Sequence, residues 1–376
     1  MGISKRIGLS GVDSVRSDDI ITWNHHAPAT HGMLQIDLTT EDGLVTSAQP
    51  VLGSMHRGAE KLFESRDYRQ VLGLANRHEW LSAFSGEVGV ALLIERELGI
   101  DVPESAQWLR TLLLEVFRVS SHLAFIAGYP WGDDQITSSL RQTRENIVLH
   151  MRSYSGSRMH PMLTQIGGLT HAPTGQWLTE LINIGNQTSE TLRGLSIRIE
   201  SELTPRKHFG GLTAEHITAH AVSGPVARAS GVVIDIRLST PQLKYAETSS
   251  FASHTQDDGD VFARIIQLCD EVTTSCAMIS ELADKSQQHI HSDVNVLTPK
   301  VLRVPEGEYE ASIETPLGVA SWLLVSRGDK YPYRLALRPA SLHTILALSQ
   351  ALIGHQESEI SYIVASLPFI TGDADR

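Results

Sequence analysis

Two short segments gather the groups best suited to acid–base chemistry: His25-His26-Ala27-Pro28-Ala29-Thr30-His31-Gly32 and Met55-His56-Arg57-Gly58-Ala59-Glu60-Lys61. Each presents a His at the end of a strand-like stretch. Pro28 fixes a backbone angle, and Gly32 and Gly58 allow another group to approach closely. An imidazole titrates near neutrality, so a His held in such a loop can hydrogen-bond an oxygen and pass it a proton. The other use of these residues, a metal held by His25, His26 and His31, has a spacing that matches no standard site.

A third group lies in the most apolar region, around residues 108–128, where Glu115, Arg118 and His122 recur at helical spacing. Charges there are costly in lipid, and the expected arrangement is a polar stripe on a helix packed inside protein. The chain has two cysteines, Cys269 and Cys276, expected as small core residues without a disulfide framework, which suits a reducing compartment. There is no C-x-x-C, so an iron–sulfur cluster held by this chain alone is not expected. No G-x-G-x-x-G follows a strand, and P-loop and H-E-x-x-H motifs are absent. Gly86 and Gly89 sit in a helical pattern and are expected to serve packing.

The elements that must position these residues follow from periodicity. Alternation predicts strands over 33–39 and 44–48, joined by a turn at Glu41-Asp42-Gly43. Helical patterns run over 60–73, 76–98 (closed by Gly99), from Pro103 through 128, and over 138–155, 174–203 and 259–286. Strands return over 309–315, 320–326 and 331–338, with Gly328-Asp329 as a turn, and a helical region covers 341–364. Strands at both ends with helices between them predict an α+β fold, a central helical bundle with small antiparallel sheets built from both chain ends. Three regions of one integrated unit are expected: 1–62 with the N-terminal strands and the His-rich loop, 63–300 as helical core, and 301–376 with the last strands and a closing helix.

Composition narrows the partners. Of 376 residues, 41% are hydrophobic and 20% charged, ordinary globular values, and the net charge of −12 provides no basic face for nucleic acid. No uninterrupted apolar run reaches the roughly 18 residues a membrane span needs, and the first residues lack the apolar core of a signal peptide.

In this order, several motifs resemble one family: the two His segments, Gly156-Ser157-Arg158-Met159-His160, Gly167-Gly168, Ser223-Gly224-Pro225-Val226-Ala227-Arg228, Asp235-Ile236-Arg237, Val304-Pro305-Glu306-Gly307-Glu308, Pro332-Tyr333-Arg334, Arg338-Pro339-Ala340-Ser341 and the terminal Gly372-Asp373-Ala374-Asp375-Arg376. From about residue 23 onward the chain resembles the quinone-site subunit of proton-pumping NADH:quinone oxidoreductase (complex I), the D-type subunit of bacteria and the 49-kDa subunit of mitochondria. The resemblance implies a fold related to the large subunit of nickel–iron hydrogenases, without the cysteine pairs that hold their metal.

The resemblance further implies residue roles. His31 is the expected contact and proton donor for the quinone headgroup. The family's quinone-contacting Tyr falls on Trp80, whose indole can stack and donate one N–H but has no acidic hydroxyl. The acidic partner of the site His has its counterpart at Asp133 or Asp134, and the family's other loop His falls on Ala27. Arg57 and His160 match positions beside the terminal iron–sulfur cluster of a neighbouring subunit; the alternatives are an Arg57–Glu60 salt bridge and a buried structural His160. Arg228 and Arg334 are expected in ion pairs or interfaces. The implied partners are quinone and complex I subunits of the B, C, I and membrane H types, with the chain peripheral on the cytoplasmic face of the membrane. A silent scaffold, or a ferredoxin-fed complex with another acceptor, are the alternatives that Trp80 and Ala27 raise. On this reading the purified chain is colourless and does not oxidise NADH; stoichiometric iron or flavin in the isolated protein would contradict it.

Overall fold

The computed structural model describes residues 32–376 and, before them, the backbone of two strands. These are β1 (Ile3–Leu9) and β2 (Ile20–Thr22), joined in one sheet with β3 (Leu34–Glu41) and β4 (Leu44–Val51) in the order β2-β1-β3-β4. In β3 the alternation buries Leu34, Ile36, Leu38 and Thr40. Asp42 and Gly43 make the hairpin turn with φ of 51° and 79°, the paired positive angles of a tight hairpin. β1 is antiparallel to β3 but parallel to β2, so this sheet is mixed. Alternation did not mark β1 because Lys5 interrupts the series Ile3, Ile7, Leu9.

The pattern over 60–73 forms two helices, α1 (Ala59–Phe63) and α2 (Tyr68–Ala75). The break is local chemistry: Asp67 accepts from the backbone of Arg69 and Gln70, and the Gln70 side chain bonds back to the Asp67 N–H, a complete capping box. The pattern over 76–98 likewise divides into an irregular turn, a 3-10 turn at Trp80–Ser82 and α3 (Ala83–Leu98). Then follow α4 (Glu104–Gly128), α5 (Asp134–Ser155), the two-residue strands β5 (Thr164–Gln165) and β6 (Gly168–Leu169), and α6 (Gly175–Leu203). The glycine-rich stretch carries two short helices, α7 (Ala214–Ala219) and α8 (Gly224–Arg228), where only loops were expected. The long helix α9 (Val261–Gln288) leads to an antiparallel sheet of β7 (Gly307–Thr315), β8 (Gly318–Ser326) and β9 (Arg334–Arg338). The last helical region divides into α10 (Ala340–Leu352), α11 (Ile360–Ala365) and α12 (Thr371–Asp375).

The core forms around α4, which packs against α3, α5 and α9, while α6 covers α5 and α9. Among the described residues α4 is the one helix long and apolar enough to cross a membrane, and 94% of its most apolar window is buried inside the protein. The two larger sheets do not pair with each other. Instead α10 packs on both β4 and β8, and the chain after α10 bonds to β4, with Val45 N–H to His355 O at 2.9 Å and Gly354 N–H to Val45 O at 2.8 Å.

Gly86 lets α3 lie against the end of α2, because a Cβ there would overlap the Ala75 carbonyl. In an open helix Gly→Ala gains about 1 kcal/mol. Here Gly86→Ala is expected to reverse sign and cost about 1–3 kcal/mol, measured as a lower unfolding midpoint of the assembled protein.

Candidate functional site

Trp80 opens the 3-10 turn between α2 and α3, where α4 packs against it. Its indole, half-buried, shares a crevice with Val116 and Phe117 of α4 and with Ile147 and Met151 of α5. Glycines from two distant segments lie on the same ring. A Cβ on Gly32 would stand 3.3 Å from Trp80 Cη2 and 3.0 Å from Met55 Sδ; one on Gly372 would stand 2.6 Å from Trp80 Cζ3. The residue next to His31, the Met55-His56-Arg57 turn, the Trp80 turn and α12 thus meet at one indole. His31 itself, with His25, His26 and Ala27, lies outside the described residues.

The Met55 turn is held by α12. The Asp375 carboxylate accepts from the backbone N–H of Gly53 and of Met55, both at 2.7 Å, and its carbonyl oxygen bonds His56 Nδ1 at 2.7 Å. The Arg57 N–H donates to the Arg376 carbonyl at 3.1 Å. Arg57 is exposed and its Nη2 donates to the Arg77 carbonyl at 3.2 Å. Glu60 does not pair with Arg57; Arg334 and Arg376 take that carboxylate.

His160 approaches the same segment. Burial is the main cause that lowers its pKa, the positive Arg77 adds to it, and a hydrogen bond with the Asn76 backbone opposes it. His160 Nδ1 is buried without a partner among the described residues. Arg57 and His160 therefore converge on Asn76-Arg77-His78, directly before Trp80. Between them His78 is buried and driven down to about 4 by burial, then by Arg57 and Arg376; it is neutral at pH 7.

Asp133 and Asp134 are not brought to this site. Asp133 caps α5 by accepting from the Gln135 N–H, and it pairs with Arg198 of α6 at 2.7 Å. Its carboxyl is held low by the Arg198 hydrogen bond and then by Gln135. Trp80 meets α5 between Arg144 and Met151, which at about 1.5 Å rise per residue lies roughly 15 Å or more further along the helix.

Several acids that sequence reasoning missed surround the site. Glu87 of α3 is fully buried; it bonds the Asn76 amide and accepts from the Met162 N–H at 3.0 Å and the Thr164 N–H at 2.9 Å. It thereby fixes the segment after His160 against the segment before Trp80. Burial pushes its carboxyl up to about 7 against those bonds. Glu79 and Asp373, flanking Trp80 and Gly372, are also buried. The available signal was an acidic residue wedged in His78-Glu79-Trp80-Leu81, where an exposed charge has no reason to sit.

Behind Trp80 the stripe on α4 is the internal one expected. Arg118 Nε meets Glu115 Oε1 at 3.1 Å, and His122 Nε2 meets Glu271 Oε2 at 3.0 Å. Arg228 bonds Glu271 at 2.8 Å and Glu314 at 2.9 Å, and Arg237 bonds Asp235 at 2.6 Å. Burial works to raise Glu115 and Glu271, but Arg118 and Arg237 outweigh it at Glu115, and Arg228 and His122 at Glu271, so both stay below the usual carboxylate range. Among the described residues no group of three or more His, Cys, Asp or Glu could hold a metal ion.

A family model described as the 49-kDa subunit of respiratory-chain NADH dehydrogenase matches residues 132–302 and 295–376. The chain belongs to that family. It is 41% identical to the NADH-quinone oxidoreductase D-type subunit, copy 1, of Streptomyces coelicolor, over 98% of both chains. It is 40% identical to copy 2 of the same subunit type in Streptomyces griseus, over 98% of this chain and 95% of that one. Among solved structures it resembles a chain of the membrane-bound sulfane sulfur reductase, an archaeal respiratory membrane complex, with a TM-score of 0.85 and 27% identity over 92% of this chain and 95% of that one. Membership makes the chain a subunit of an oxidoreductase complex, with other subunits as partners.

A buried carboxyl raised above its unfolded value binds more protons folded than unfolded, so its contribution to stability falls as pH rises from about 4.5 to about 7. The advantage of the wild type over Glu87→Gln is expected to shrink across that window; a constant difference in denaturant midpoints between pH 5 and 7.5 would contradict this.

Proposed function

We propose that this chain forms the acceptor site of a complex I-type oxidoreductase, binding a quinone headgroup against Trp80 and assisting its two-electron, two-proton reduction. The observation that carries the reading is the convergence of Gly32, Met55, Trp80 and Gly372 on one ring, with the exposed Arg57 and the partly buried His160 on the segment leading into it. Trp80 supplies a stacking face and an N–H donor. His31, adjoining Gly32, hydrogen-bonds a carbonyl and delivers a proton.

Electrons come from an iron–sulfur cluster held by a neighbouring B-type subunit, and Arg57 and His160 face it. A cation and a titratable imidazole there raise the cluster's potential and tie electron arrival to protonation. The chain holds no redox group of its own in this reading. It sits peripherally on the cytoplasmic face of the membrane, against C- and I-type subunits and a membrane subunit of the H type that admits the quinone tail, and reduction is coupled to proton translocation. The names of the Streptomyces relatives support this assignment. A second reading, another acceptor or a silent scaffold, is favoured by one observation: an indole stands where the family presents a phenol. The relative named for sulfane sulfur reduction keeps the same fold, so the fold alone does not fix the acceptor.

The test uses the assembled complex. His31→Ala is expected to cut quinone reduction roughly 10- to 1,000-fold, Trp80→Ala to abolish binding of a quinone-site inhibitor, and Trp80→Tyr to be tolerated. Absence of specific inhibitor binding in both wild type and Trp80→Ala would leave the scaffold reading standing.

A further inference from the structure

The crevice at Trp80 is apolar along most of its wall, yet two cations line it, Arg144 of α5 and Arg158 just beyond that helix, and no carboxylate does. Arg158 has its counter-charge: Nη1 and Nη2 donate to the two oxygens of Glu145 at 2.8 and 2.7 Å. Glu145 is also the carboxylate whose field reaches Arg144, but both its oxygens are taken. Arg144 is left with one bond among the described residues, from Nε to the Ser120 carbonyl of α4 at 3.1 Å. It is half-buried, and burial is the main cause that lowers its pKa.

Helical spacing sets where that side chain stands. Ile147 and Met151 follow Arg144 by three and seven residues, on one face of α5, and Ser120 follows Val116 and Phe117 by four and three, on one face of α4. These are the faces that line the crevice. The Ser120 bond thus ties Arg144 across the two helices at the crevice wall. Nε is spent, while the N–H groups of the two terminal nitrogens make no bond among the described residues. A partly desolvated guanidinium without an anion is costly, and a plain tie between two helices needs no charge.

We propose that Arg144 is the second binding group of the acceptor site: its terminal N–H groups take an oxygen of the headgroup that stacks on Trp80. This deepens the acceptor-site reading above and rests on it.

The chemistry suits an oxygen acceptor that gains charge. A planar fork offers two parallel N–H bonds, and an apolar wall strengthens each of them. Electrons arriving from the partner's iron–sulfur cluster put negative charge on the headgroup oxygens. A cation bonds a charged oxygen more strongly than a neutral one, so Arg144 holds the reduced headgroup more tightly than the oxidised one and favours electron arrival. A guanidinium keeps its protons in proteins. Arg144 therefore binds and orients; it gives up no proton, and no bond within it breaks.

The test is equilibrium binding, to the assembled complex, of two quinones of similar size: lawsone, a hydroxynaphthoquinone that is an anion at neutral pH, and menadione, its neutral methyl analogue. The wild type should favour lawsone. Arg144→Gln should cut that preference roughly 10- to 100-fold, with the Arg158–Glu145 pair left in place. Arg144→Lys keeps the charge and should keep the preference, while menadione binding weakens with loss of the fork. A purely structural tie to Ser120 would move both affinities together, so an unchanged ratio in Arg144→Gln would overturn the proposal. The wild type alone gives a check that needs no variant to assemble: menadione bound as tightly as lawsone would also overturn it. Trp80→Ala separates the two readings. If it abolishes binding of both quinones while the ratio is indifferent to Arg144, only the Arg144 assignment falls. If it leaves both affinities unchanged, or the wild type binds neither quinone, the acceptor-site reading falls and Arg144 with it.

Discussion

Glu115, Arg118 and His122 on α4, Glu271 on α9, Arg228 on α8, Asp235 and Arg237 beyond it and Glu314 on β7 are linked by one internal network of ion pairs. An ion in such a place is tolerable only with its partners present, because removing one strands the other in a dry interior at a cost of about 3–5 kcal/mol. The network is therefore less a source of stability than a constraint on register. Four separate elements must arrive in one arrangement or leave a charge uncompensated. Apolar packing around α4 would permit small slides between helices; these bonds do not. Trp80 rests on the same helix, so its position against Val116 and Phe117 inherits that rigidity.

A second constraint acts on the loops, which have little packing of their own. The Met55-His56-Arg57 turn is held by Asp375 and Arg376 through backbone and carboxylate bonds. The segment after His160 is held by Glu87. Each clamp is an acid from a regular element or tight turn bonded to loop N–H groups. The loops are thus fixed by their backbones, and the side chains of Arg57 and His160 both reach the Asn76-Arg77 segment.

Much of this was legible in the sequence. The stripe on α4 declared itself through helical spacing inside an apolar run, and Gly86 through its lack of any local reason to be glycine. Resemblance in ordered motifs marked Arg57, Trp80 and His160, which the structure brings to neighbouring positions. Other features were hidden for physical reasons. The break between α1 and α2 was signalled only by Asp67 and Gln70, a capping pair inside an otherwise continuous apolar pattern. Asp133 and Asp134 were read by position along the chain, but the start of α5 is where a capping carboxylate is useful, and Arg198 completes it. The approach of Gly372 to Trp80 depends on tertiary contact between remote segments, and no local pattern encodes it.

The clamp on the Met55 turn also sets an order of events during synthesis. Gly53 and Asp375 are separated by 322 positions in the chain, so the turn has no permanent holder until those residues have been translated. A ribosome-bound intermediate can assemble the helices around α4 early, since those contacts join elements closer in sequence. The cradle around Trp80 closes only when the segment carrying Gly372 and Asp375 is in place. Until then the face of the indole that Gly372 covers stays open to solvent and to chaperones. A chain that stops before Gly372 would keep the contacts of α4 with α3, α5 and α9 but leave the ring of Trp80 uncovered on that side.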